Sequence, residues 1–311
     1  MPSTQPIIQV EHLYKTYGST RAVDDVSFEV RTGEIFVLIG PNGAGKTTTV
    51  EILGGLRRAD SGSVRVLGLD PIAQGAQLRQ RVGIQLQQAA LPDKIKVWEA
   101  IDLYASFYPH PIDWRPLLEA WGLAEKRNAS FISLSGGQRQ RLFIALALVN
   151  DPELVFLDEL TTGLDPQARH ATWDLIRDIR RQGKAVVLVT HFMDEAEKLA
   201  DRVGVIDHGK LVALDTPRSL IQGLNAEARV TFSSSNGFNL DDLRSIPGVT
   251  RVARDGDQVT VFGQNLPGKP SLLLEVAEAL NQQGYTPTDL ANQQPNLEDV
   301  FLTLTGRKMR E

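Results

Sequence analysis

The chain has no cysteine among its 311 residues. Disulfides, thiolate-held metals and cysteine nucleophiles are therefore excluded, while the redox compartment stays open. Long apolar runs are also missing. Residues 142–149 form one of the longest, far short of the roughly 20 residues that span a bilayer. The chain is thus not expected to cross a membrane by itself. Its first residues, Met1-Pro2-Ser3-Thr4-Gln5-Pro6, are neither basic nor apolar, and no secretory leader is expected. Positive charge is in deficit: 33 Lys and Arg stand against 38 Asp and Glu, a formal net charge of −5. That balance gives no support to a general nucleic-acid binder, and no nucleic-acid partner is expected. What remains, 42% hydrophobic and 23% charged residues, is an ordinary globular composition for one large domain or two smaller ones.

Against this plain background one stretch stands out, Gly40-Pro41-Asn42-Gly43-Ala44-Gly45-Lys46-Thr47-Thr48. It fits the phosphate-loop pattern G-x-x-x-x-G-K-[ST] at each fixed position. The apolar residues 35–39 before it read as a buried strand. Residues 46–53 after it read as a helix, stopped by Gly54-Gly55. Glycines let the backbone turn so that successive N–H groups face one anion. The helix N-terminus adds its positive dipole end and Lys46 a full charge. Thr47 offers a hydroxyl to Mg²⁺. The pattern predicts a nucleoside triphosphate site.

Along the rest of the chain, short β-type runs at 7–10 and 26–30 flank an expected loop at 14–18. Strands are expected at 63–67, 82–86, 154–157, 185–190, 203–206 and 211–214, with helices at 166–182 and 193–200. Pro166 at the start of the first of these helices and Gly183 just past its end mark its bounds. Residues 92–150 read as a helical subdomain, with helical spacing at 98–108 and 115–121 and Pro109 and Pro111 between them. Near-continuous apolar strands alternating with helices predict a mainly parallel α/β sheet over residues 1–222. Residues 223–311 change pattern to strand, helix, strand, strand, helix, strand (229–232, 240–245, 249–253, 258–262, 271–283, 285–290). That order predicts a small ferredoxin-like α+β domain, followed by a short helix at 297–304.

Two further stretches carry chemistry. Leu154-Val155-Phe156-Leu157-Asp158-Glu159 is an apolar strand ending in two acids, which sets them at the carboxyl edge of the sheet beside the phosphate loop. One acid can hold Mg²⁺, and the next can orient and deprotonate a water. Leu134-Ser135-Gly136-Gly137-Gln138 opens an apolar helix with free N–H groups, a hydroxyl and a dipole end, a second anion site. Since one phosphate loop already serves one nucleotide, this turn is either a plain helix cap or grips a nucleotide held by another protomer.

With these motifs the chain resembles the nucleotide-binding subunit of an ABC transporter, whose signature is Leu-Ser-Gly-Gly-Gln; the resemblance covers about residues 7–222. It implies an ATPase of the phosphate-loop class with ATP and Mg²⁺, a helical subdomain and an antiparallel β subdomain. Tyr17 then matches the aromatic that stacks on adenine. Gln87 matches the glutamine that contacts Mg²⁺ and relays movement to the membrane subunit, with Gln85 and Gln88 competing for the role. Asp165, in Gly163-Leu164-Asp165-Pro166, matches the loop that crosses the dimer interface, and His191 the histidine that contacts the γ-phosphate. Asp158 and Thr47 match the metal ligands and Glu159 the general base. The family usually has Pro after that Glu. Here it is Leu160, and only a small change in loop geometry is expected. Residues 295–306 resemble the closing segment of ATPase subunits from drug, lipid and polysaccharide exporters. The resemblance therefore implies export through a separate transmembrane permease. It also implies a homodimer, or a pair with a related ATPase, at the cytoplasmic face of the membrane. A soluble ABC ATPase of the translation or DNA-repair type is the alternative; those usually carry two cassettes or a long coiled coil, which this chain lacks.

Overall fold

The computed structural model describes residues 6–87, 90–223, 227–234, 240–264, 268, 270–285, 287 and 289–306. In chain order the elements of the first part are β1 (Pro6–Tyr17), β2 (Thr20–Arg31), β3 (Ile35–Ile39), α1 (Lys46–Leu53), β4 (Ser61–Val66), α2 (Gly75–Arg79), β5 (Val82–Gln85), α3 (Val97–Ala105), α4 (Trp114–Ala120), α5 (Gly136–Leu148), β6 (Leu154–Asp158), α6 (Pro166–Arg181), β7 (Ala185–Thr190), α7 (Met193–Leu199), β8 (Arg202–Asp207) and β9 (Lys210–Asp215). Then come α8 (Pro217–Gly223), β10 (Ala228–Ser233), α9 (Leu240–Arg244), β11 (Val249–Asp255), β12 (Gln258–Gly263), α10 (Leu272–Gln282), β13 (Ala291–Gln293) and α11 (Leu297–Thr305). The chain divides into two compact units between Pro217 and Arg218, at the start of α8.

The first unit holds two sheets. One is antiparallel, in the order β2-β1-β4, and the other has six strands in the order β5-β6-β7-β3-β8-β9. Strands β5, β6, β7, β3 and β8 run parallel and β9 closes the edge antiparallel. Every residue of β3, β6 and β7 is buried, which is why these strands are unbroken apolar runs in the sequence. The antiparallel sheet packs into the same core, with Phe28 stacked on Phe36 at 5.2 Å between ring centres.

The hairpin β1–β2 differs from the expectation. The expected loop at 14–18 is strand as far as Tyr17, and the turn is confined to Gly18-Ser19. Register shifts at Val10/Leu13 and Leu13/Lys15 change the spacing of buried residues from two to three. Such bulges put an extra residue on one strand and break the alternation that marks a strand in sequence.

The second unit is a four-stranded antiparallel sheet in the order β11-β12-β10-β13. Val230, Phe232, Val259 and Val261 pack beneath Leu243 of α9 and Leu272, Val276 and Leu280 of α10. This is the ferredoxin-like arrangement, with one correction. The last strand was expected at 285–290 and lies at Ala291–Gln293. Tyr285 donates its hydroxyl proton to the Ser233 carbonyl, and Asp289 accepts from the Ser233 amide at 3.0 Å. Those side chains engage the end of β10, Pro287 has no N–H for a ladder, and backbone pairing begins with Ala291 opposite Thr231.

Candidate nucleotide site

Register aligns the ends of three strands. Ile39 of β3 lies opposite Thr190 of β7, and Asp158 of β6 lies opposite Val189. The phosphate loop, the Asp158-Glu159 pair and His191 therefore leave the sheet at one carboxyl edge, where open α/β sheets bind ligands.

The loop is set by its glycines. Gly40 and Gly45 have φ of 157° and 105°. A Cβ on Gly40 would stand 2.1 Å from the Ile206 carbonyl oxygen, and one on Gly45 would stand 2.0 Å from that of Ala22. The loop is thus wedged between β8 and β2, and only glycine fits. Behind it, Lys46, Thr47 and Thr48 open α1, and their amides have no intrahelical acceptor. Lys46 is 4% exposed, and its Nζ donates to the carbonyls of Gly40 at 2.7 Å and Pro41 at 3.1 Å. Burial holds the Lys46 ammonium below the usual lysine range, against the pull of Glu159 and Asp158. Tyr17 pairs with Thr20 at the hairpin end; the residue is 41% exposed, with the Lys15 and Arg57 cations beside its ring.

The acids differ in environment. Asp158 is fully buried, and neither carboxylate oxygen has a well-formed hydrogen bond. Burial pushes its pKa up to about 6, with the Thr47 hydroxyl pulling back and the Glu159 charge pushing further. A buried carboxylate so poorly satisfied suits a cation. Among the described residues no cluster of three His, Cys, Asp or Glu side chains forms a metal cage. The donor set, one carboxylate and one hydroxyl, suits Mg²⁺, which takes few protein ligands and completes its shell with phosphate oxygens and water.

Glu159 sits just beyond β6 with φ of 49°. Its amide donates to the Val189 carbonyl at 2.9 Å. Gln87 Nε2 donates to its Oε2 at 2.6 Å, and His191 Nδ1 lies 3.4 Å from its Oε1. The candidate glutamines separate here. Gln85 is buried and its Oε1 accepts from the Asp158 amide at 3.3 Å, a supporting place within the sheet. Gln87 faces Glu159, and Gln88 lies outside the described residues. Leu160, where the family usually has Pro, is fully buried.

The second anion turn lies elsewhere on the first unit. Ser135 caps α5: its Oγ accepts from the Gln138 amide at 3.3 Å, and Gln138 Oε1 accepts from the Ser135 amide at 3.0 Å. Asp165 caps α6, accepting from the Ala168 amide at 2.9 Å. Ser135, Gly136, Gly137, Leu164 and Asp165 line one cleft of about 330 Å³. Gly137 lies close to α6, since a Cβ there would stand 3.4 Å from the Ala168 Cβ.

A phosphate loop, two acids and a histidine on one sheet edge, with a second glycine-rich helix cap apart from them, define an ATPase cassette. The "ABC transporter" family model matches residues 23–162. "Nod factor export ATP-binding protein I" of Ralstonia nicotianae is 38% identical over 314 residues, covering 98% of this chain and 96% of the relative. The protein of the same name from Burkholderia pseudomallei is 38% identical over 309 residues, 97% of this chain and 98% of the relative. Among solved structures, the ADP conformation of MJ1267, an ATP-binding cassette of an ABC transporter, gives a TM-score of 0.63 at 24% identity, over 70% of this chain and 93% of that one. The dimeric ABC transporter cassette MJ0796 gives 0.59 at 28%, over 67% and 98%. The chain belongs to the ABC transporter family, as an ATP-binding, ATP-hydrolysing subunit of a transporter. That role implies a membrane partner. Among the described residues no helix is long and apolar enough to cross a membrane.

Proposed function

We propose that this subunit hydrolyses ATP between two chains to drive export through a separate transmembrane permease, at the cytoplasmic face of the membrane. The observation that carries the reading is the shared edge on which Lys46, Asp158, Glu159 and His191 meet, with the Asp158 oxygens unsatisfied. Lys46 exchanges its own loop carbonyls for β- and γ-phosphate oxygens. The amides at the start of α1 take further phosphate oxygens, and Tyr17 takes the adenine face. Thr47 and Asp158 would hold Mg²⁺, with Gln87 beside them, and the ion would offset phosphate charge and help to orient the triphosphate.

Glu159 accepts a proton from the water that attacks the γ-phosphorus, and the bridging oxygen leaves with ADP. His191 contacts the γ-phosphate. The Ser135-Gly136-Gly137 turn and Asp165 belong to the other face of a neighbouring chain's nucleotide, head to tail in a homodimer or with a related ATPase. Outward transport follows the relatives, which are named as export proteins; the same names weigh against a translation or repair role.

Glu159→Gln tests the chemistry. It keeps ATP affinity and loses turnover by ~10²–10⁴-fold, the range of a general base; normal turnover in a phosphate-release assay removes Glu159 from the role. Copurification with a membrane protein of several spanning segments tests the partner.

A further inference from the structure

Helix α7 carries an acid with no exposure to water: Glu195 is 0% exposed. A carboxylate is costly there unless it is held. Its Oε1 accepts from Trp173 Nε1 of α6 at 2.9 Å, and Trp173 is itself 4% exposed. Burial pushes the carboxyl above the usual glutamate range, and the nearby hydroxyls of Thr190 and Thr161, together with Trp173, oppose that rise. Thr161 is fully buried, and its Oγ1, like Glu195 Oε2, has no well-formed hydrogen bond among the described residues. Thr190 is anchored in turn, since its hydroxyl oxygen accepts from the Phe192 amide at 3.0 Å.

These three residues stand next to three different parts of the site. Thr161 stands two residues after Glu159, and Thr190 immediately precedes His191. Trp173 lies on the helix that Asp165 caps. The Glu195 carboxyl group is thus hydrogen-bonded to the helix behind the interface loop, and the hydroxyls of the segment behind the general base and of the strand end behind the γ-phosphate histidine lie near it. It touches none of the reacting groups. A buried polar cluster is seldom worth more to stability than apolar side chains of the same volume, so packing alone gives no reason for an acid here.

We infer that Glu195 is a positioning residue which, through Trp173, Thr190 and Thr161, sets the distance between Glu159 and His191 and couples both to the helix headed by Asp165. The inference rests on the roles given to Glu159 and His191 above.

Two conservative variants of the full chain test it. Trp173→Phe keeps an aromatic ring and removes the N–H donor, and Thr161→Val keeps the shape and removes the hydroxyl. Each lowers kcat by roughly 10-fold with KM for ATP within about twofold, the signature of misplaced groups in the transition state. Glu195→Gln, which retains the acceptor for Trp173, recovers kcat to within about threefold of the parent chain. Unchanged kcat in both conservative variants overturns the inference. So does a rise in KM that follows a fall in Tm, which marks a merely structural role. Glu159→Gln and His191→Ala are measured alongside. If they stay active, the site assignment falls and this inference with it. If they are inactive while Trp173→Phe and Thr161→Val turn over normally, this inference alone fails.

Discussion

A single methyl group is enough to test the phosphate loop. In Gly45→Ala the new Cβ meets the Ala22 carbonyl oxygen at 2.0 Å, on a backbone with φ of 105°. The clash is backbone against backbone, so no side-chain movement relieves it, and the left-handed geometry alone costs about 1–2 kcal/mol. ATP affinity is expected to collapse together with a drop in Tm; calorimetric binding at parent strength contradicts the loop geometry. Glu195 supplies a test at the same scale that reads protonation. Burial, foremost, pushes its carboxyl above the usual glutamate range, with Asp194 adding to the rise and Thr190, Trp173 and Thr161 opposing it. A raised value means that the folded chain holds the proton more tightly than the unfolded chain. Its stabilising contribution is therefore complete below the ordinary glutamate value and is lost as pH climbs through the raised one. Glu195→Gln has no proton to lose. The Tm of Glu195→Gln relative to the parent is expected to rise from mildly acid to mildly basic buffer. A constant gap across that series contradicts the buried titration.

At the scale of elements, the signature turn does two jobs that one substitution series can separate. Within one chain Ser135 is a helix cap, paired reciprocally with Gln138. Ser135→Ala removes the capping hydroxyl and costs about 0.5–2 kcal/mol of stability. Ser135→Arg adds a bulky cation to the face proposed to meet a neighbour's nucleotide. Both are expected to bind ATP as monomers, and only the second to abolish hydrolysis; equal activities assign the turn to capping alone. Elements also show what the sequence could and could not disclose. Strands β3, β6 and β7 were legible because burial on both faces makes each an unbroken apolar run. Helix α1 was legible because Lys46 opens it and Gly54-Gly55 ends it. The hairpin was not, because bulges near His12 and Lys15 shift the period of its buried residues. Nor was β13, where Asp289 and Tyr285 engage Ser233 by side chains ahead of any ladder. Within the site, Lys46, Asp158, Glu159 and His191 follow from motif and register. The Glu195–Trp173 contact joins residues 22 apart in sequence, and an acid on a short helix looks like any solvated charge until burial is known.

At the scale of the whole molecule each nucleotide is proposed to be completed by two chains, and mixing two inactive proteins tests this without a partner structure. In a two-fold pair, whatever residue i of one chain does to residue j of the other is repeated in reverse. Each composite site therefore uses Lys46 from one chain and Ser135 from its neighbour. Lys46→Ala chains alone form pairs in which both sites lack the lysine. Ser135→Arg chains alone form pairs in which both sites meet the blocking arginine. A mixed pair differs: one site receives both defects, and the other receives neither, because its Lys46 comes from the Ser135→Arg chain and its Ser135 from the Lys46→Ala chain. With random pairing and independent sites, an equal mixture regains about a quarter of parent turnover, since half the pairs are mixed and each has one sound site of two. The regained rate should grow with concentration as pairs form, and should vanish if the Ser135→Arg chain also carries Glu159→Gln, because that chain supplies both Lys46 and Glu159 to the sound site. Placed in the Lys46→Ala chain instead, the same substitution leaves the regained rate untouched, because that chain's own Glu159 serves the site already lost. A mixture as inactive as its components, at concentrations where the parent hydrolyses ATP, would mean that one chain holds its nucleotide unaided.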